Sequence, residues 1–230
     1  MALTFKALSA LLSYPTAELQ GAIGEIYAVI RSEGLVDPAA RLGLEPFLED
    51  VEAADLFDIQ ERYVDLFDKT RRLSLHLFEH VHGESRDRGQ AMVDLAAMYE
   101  NDGMTLATSE LPDYLPAFLE YLSTQPLDAA RGHLDNIIPI VSGIEERLEN
   151  RRSPYAAVFA ALRSIAGAEA IAPRADQPAE TENDDLAALD AAWEESAVVF
   201  GPGEALDGCS VDRMRMQVRA GLRDARRTVG

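Results

Sequence analysis

The chain is short of the things that would narrow its chemistry quickly. It has one cysteine, Cys209, in 230 residues. No intrachain disulfide can form, which fits a reducing compartment. It has little positive charge: 21 Lys and Arg stand against 40 Asp and Glu, for a formal net charge of −19. A surface this acidic repels phosphate, so nucleic acid is excluded as an expected partner, whereas basic partners would be drawn in at low salt. No apolar run is long enough to span a bilayer. Neither the G-x-x-x-x-G-K phosphate loop nor the G-x-S-x-G elbow occurs, which removes two common enzyme classes.

What is present is helical. Apolar residues make up 47% of the chain, enough for a buried core. They recur at three- and four-residue spacing, without the sustained alternation of half-buried strands. Phe5, Leu8, Leu11 and Leu12 predict an ordinary first helix rather than a signal peptide, stopping before Pro15. Thr16 is a good N-cap for a second helix running to Gly34, and Asp37-Pro38 opens a third, kinked at Pro46. From Asp55, the stripe Leu56, Ile59, Tyr63, Leu66 and Phe67 predicts a fourth. Further helices are expected over 85–101, closed by Gly103, and after the proline-rich lead-in 111–116. One over 128–150 is expected to break near Pro139, and a last one follows Ser153-Pro154. Beyond Ala170 the composition changes. An acidic linker with Pro173 and Pro178 leads to a short apolar helix and then an arginine-rich end, Arg213 to Arg227. The expected organisation is a helical domain over 1–170 and a variable, poorly ordered tail over 171–230.

Three of the four histidines fall within seven positions, among carboxylates. His76-Leu77-Phe78-Glu79-His80 matches the H-x-x-E-H pattern of inverted zinc peptidases. If the stretch is helical, His76 and His80 share a face and Glu79 could act as base; a zinc-dependent hydrolase is the alternative reading. The plainer reading is a set of core histidines bonded to backbone or carboxylate, with Glu84, Arg86, Asp87 and Arg88 stitching helices together.

A third reading comes from likeness. The run Phe78-Glu79-His80-Val81-His82-Gly83-Glu84-Ser85-Arg86-Asp87-Arg88-Gly89-Gln90-Ala91-Met92-Val93 resembles the central signature of the NarJ-type chaperones of nitrate reductase. Glu110-Leu111-Pro112-Asp113-Tyr114-Leu115-Pro116 resembles their second signature, and the Leu-Ser-Tyr-Pro ending at Pro15 is similar too. The likeness covers roughly residues 3 to 170. It implies an all-α, compact bundle of the molybdoenzyme-chaperone type that is cytoplasmic and not an enzyme. The implied partner is the apo catalytic subunit of respiratory nitrate reductase, recognised through its N-terminal peptide and held ready for molybdenum cofactor insertion before membrane docking. No cofactor or metal of the protein's own, no membrane insertion and a monomeric state are expected. Peptide capture by a helical protein calls for an apolar groove with charges at its rim. Tyr63, Phe67, Phe78, Tyr114 and Phe118 are the candidates for the floor, and Glu79, Glu84, Asp87 and Asp113 for the rim. His80 and His82 are candidates to bond peptide backbone. Arg86 and Arg88 are expected to orient the carboxylates.

Overall fold

The computed structural model describes residues 2–82, 87–106 and 110–167. Two compact units divide the chain, Met1–Pro173 and Arg174–Gly230, and every described residue belongs to the first. The expected tail, 171–230, lies outside the described residues.

Among the described residues the structure is all-α, with no strand. Helix α1, Leu3–Leu12, buries Phe5, Leu8, Leu11 and Leu12 almost completely. Each such burial contributes about 1.5–3 kcal/mol, which makes α1 the spine of the core. Its N-terminus, where amides have no partner within the helix, is closed by Glu33. That carboxylate accepts from the amides of Leu3 and Thr4, both at 2.8 Å, and from the Thr4 hydroxyl at 2.7 Å.

The expected helix from Thr16 to Gly34 is divided at Ala22 into α2, Ala17–Gly21, and α3, Ile23–Glu33. Gly21 and Gly24 flank the break, and glycine is the weakest ordinary helix former. Thr16 accepts from the Leu19 amide, and Gly34 ends α3 with φ 64°. The third helix, α4, spans Pro38–Ala53 with Asp37 as its cap. It runs through Pro46 without ending. The carbonyl that Pro46 leaves without an amide is that of Leu42, an exposed residue, where water can serve it.

Helix α5, Leu56–Tyr63, carries on as a π-helical turn, Val64–Asp68, in which Lys69 donates to the Val64 carbonyl. A 3-10 turn, Arg71–Leu73, and a short α6, Glu79–His82, lead to α7, Asp87–Asn101. Helix α8, Leu115–Thr124, lies along α1, where Ser9 donates to the Pro116 carbonyl at 2.7 Å. Helix α9, Leu127–Asn150, is continuous through Pro139, so the expected interruption is corrected. Pro139 is exposed on one face while Leu134, Ile137, Val141 and Ile144 hold the other in the core. Helix α10, Ala156–Ile165, packs against α9, α4 and α1. Between α9 and α10 the two-pronged pair of Arg163 with Glu145, both bonds 2.8 Å, is largely shielded from solvent. None of the described helices is long and apolar enough to cross a membrane.

Candidate functional site

The two stretches singled out by the sequence, 76–92 and 110–116, meet in space. Residues 73–77 read Leu-Ser-Leu-His-Leu, and the three leucines point into the core. That is a period of two in the sequence, and past the 3-10 turn that ends at Leu73 the chain runs extended from Ser74 to Leu77. His76 pairs with Tyr114 as a single antiparallel rung. The Leu77 amide donates to the Asp113 carbonyl at 2.9 Å, and the Leu115 amide to the Leu75 carbonyl at 2.8 Å. The alternation is only five residues long, too short to stand out as the sustained alternation of a strand.

Asp113 sits at the crossing and is wholly buried. Its Oδ1 is 3.1 Å from His76 Nδ1, and its Oδ2 accepts from the Phe78 amide at 3.2 Å. Arg88, from the first turn of α7, brings one nitrogen to 3.8 Å from Asp113 and 3.4 Å from Glu79. A buried carboxylate is tolerated only when it is bonded and paired in this way. The hydrogen bond with Asp113 raises the His76 pKa above the usual histidine value, although burial of the ring works against it. His80 donates from Nε2 to the Ser74 carbonyl at 2.8 Å, tying α6 back to the extended segment.

The geometry behind the zinc reading is therefore absent. His76 lies in the extended segment and α6 begins at Glu79, so the two histidines do not share a helical face. Among the described residues no group of three or more His, Cys, Asp or Glu is placed to hold a metal ion.

The expected groove is corrected in several places. Asp113, expected at the rim, is the buried hub, because the backbone and side chains around it satisfy its charge. Tyr63 and Phe67, expected in the floor, join Phe47 and Tyr155 in an aromatic core cluster with ring separations of 4.9–6.3 Å. Phe78 and Phe118 are also buried. Tyr114 is half-buried and shares a 2.9 Å hydroxyl contact with Tyr63. The Tyr63 hydroxyl has a single proton, and the Leu12 carbonyl at 3.0 Å can only accept. Tyr63 thus donates to Leu12, and Tyr114 donates to Tyr63. Glu79, His80 and Arg88 are half-buried and Asp87 is exposed. The side chain of His82 and residues 83–86, with Glu84 and Arg86 among them, lie outside the described residues.

The far end of α7 is tethered in the same style. The Tyr99 hydroxyl donates to the Pro112 carbonyl at 2.8 Å, and Tyr121 of α8 donates to Asp102 at 2.6 Å. The segment 110–116 therefore receives both the start and the end of α7.

The family described as nitrate reductase delta subunit matches residues 33–161, more than half of the chain. The chain belongs to this family. Among curated relatives, the nitrate reductase molybdenum cofactor assembly chaperone NarJ of Escherichia coli (strain K12) is 45% identical over 197 residues, covering 84% of this chain and 83% of its own. NarW of the same strain, named as a probable chaperone of this kind, is 42% identical, covering 85% and 82%. A NarJ of Bacillus subtilis (strain 168) is 32% identical, covering 74% and 93%. Among solved structures, one from Archaeoglobus fulgidus assigned as a redox enzyme maturation protein superposes with a TM-score of 0.51 at 21% identity, covering 73% of this chain and 92% of that one. At that identity it shows the all-α fold alone. Asp113, Arg88 and Glu79 brace the segments 76–92 and 110–116 against each other.

Proposed function

We propose that this protein is a cytoplasmic, monomeric, system-specific chaperone of respiratory nitrate reductase. It binds the N-terminal peptide of the apo catalytic subunit. It keeps that subunit competent for molybdenum cofactor insertion before the subunit docks at the membrane. It carries out no catalysis of its own, and the molybdenum cofactor is the client's cargo.

The observation that carries this reading is the 45% identity, over most of both chains, to a relative named as a nitrate reductase molybdenum cofactor assembly chaperone. The charge supports it too, since a net −19 favours a basic peptide. Of the residues first considered for the partner, Glu79, His80, Asp87 and Tyr114 keep exposed or half-exposed surface and stay candidates for contact. Tyr63, Phe67, Phe78, Phe118 and Asp113 act from beneath by fixing the wall that carries them.

The test is calorimetric titration with a synthetic peptide copying the N-terminus of the same organism's catalytic subunit, at low and moderate salt. Saturable one-to-one binding that weakens with salt is expected. No binding, confirmed by a method that does not depend on heat, would remove peptide recognition.

A further inference from the structure

A second surface feature lies away from the Asp113 cluster. Tyr14, just after α1, and Phe57, Glu61, Val64, Asp65 and Lys69 line an open cleft of about 270 Å³. Phe57 is 78% exposed and Tyr14 48% exposed. One exposed apolar side chain means little, but two aromatics facing one cleft leave a large contact area uncovered. The walls are fixed. Tyr14 meets the buried ring of Tyr63 edge-on at 5.6 Å, and Gln60 donates to the Pro15 carbonyl at 2.8 Å. The floor ends on the π-turn, an irregularity often kept at working sites.

Acidic residues predominate along α5 and the π-turn beside the cleft. Asp58, Glu61, Asp65 and Asp68 are all exposed, at spacings of three, four and three along α5 and the π-turn. Lys69 is the cation among the cleft's lining residues, and its amine is paired with Asp65. The volume suits one or two side chains, so the cleft can take an anchor and not a whole helix.

We propose that this cleft docks a basic segment of the client polypeptide, with one large apolar side chain seated between Tyr14 and Phe57 and a neighbouring Lys or Arg meeting Glu61. The proposal rests on the chaperone reading and gives it a place on the molecule.

The experiment measures affinity for the synthetic N-terminal peptide by fluorescence anisotropy, using the full chain and three variants. Phe57→Ser and Glu61→Lys alter the cleft, and Val93→Ser alters another exposed apolar position, on α7, itself 62% exposed. Circular dichroism confirms that each variant keeps its helices. Expected are losses of about tenfold or more for Phe57→Ser and Glu61→Lys, with none for Val93→Ser. A peptide in which the neighbouring Lys or Arg is replaced by Glu regains affinity for Glu61→Lys alone. If the unaltered protein binds and both cleft variants bind within about twofold of it, the cleft assignment falls and the chaperone reading stands. If the unaltered protein does not bind, both fall.

Discussion

Helix α1 and helix α7 are placed by different forces. Seven of the ten residues of α1 are buried, whereas of the fifteen in α7 only Tyr99 is. Packing holds α1 along most of its length, with Glu33 capping its start. Polar tethers at both ends hold α7, with Arg88 reaching Glu79 and Asp113 at one end, and Tyr99 and Asp102 bonded to Pro112 and Tyr121 at the other. Between the tethers, Met92, Leu95 and Met98 are only half-covered. Apolar burial is non-directional and hard to undo at a single point. A tethered helix depends on a few bonds and can be released by breaking one of them.

The contrast can be broken first at the α1 end. Phe5→Ala empties a completely buried site and is expected to cost about 3–5 kcal/mol. A lower denaturation midpoint with an unchanged slope would show it. Asp113→Ala comes next, at about 2–4 kcal/mol, because it removes the acceptor of the Phe78 amide and the charge that Arg88 and His76 face. Its effect should be local. Amide exchange should speed up at Phe78 and in the first turns of α7 well before it does so in α1. Equal acceleration in both helices would contradict the separation drawn between them.

The two regions should also respond oppositely to pH. The pKa of His76 is raised in the folded protein by Asp113. Its contribution is therefore complete below the usual histidine range and is lost as pH rises through the raised value. Burial pushes the Glu33 carboxyl at the start of α1 up, but bonds from Thr4 and Leu3 outweigh this and hold it below its ordinary value. Its contribution is complete above the usual carboxylate range and is lost as pH falls through the lowered value. Stability measured against pH should flatten on the neutral side in His76→Gln and on the acid side in Glu33→Gln, by about 1–2 kcal/mol at most. The smallest expected effect is that of Tyr114→Phe. It removes one donor to Tyr63 and should cost about 1 kcal/mol, visible as a small fall in the melting temperature with the helices intact.

Much of the helical plan is readable from local chemistry. Thr16, Asp37 and Asp55 accept from the first-turn amides of α2, α4 and α5, as short polar side chains before an apolar stripe should. The errors in the helical plan have local causes as well. Glycines at 21 and 24 split one helix. Pro46 and Pro139 did less harm than proline usually does, because the carbonyl freed by a proline on an outer face can turn to water while packing holds the inner face. The site was less readable. Its residues lie in the right two stretches, but the side-chain types could not say which carboxylate faces solvent. Glu79 and Asp113 look alike in a sequence, and only the crossing of 74–77 with 113–115 buries one of them. The aromatics misled for a related reason, since an aromatic at helical spacing serves a core or a groove equally well. Phe57 shows the reverse, as an apolar residue that lies outside the helix stripe and that the fold leaves uncovered.

The sequence by itself determined the all-α class, the acidic surface and, through its two signatures, the family, because these depend on periodicity, composition and identity along the chain. The tertiary structure alone decided that Asp113 is a hub, that Tyr63 and Phe67 belong to the core, and that Tyr14 and Phe57 share an open cleft. Burial is a property of what comes to lie beside a residue, and a neighbour can be 107 positions away, as Ser9 is from Pro116.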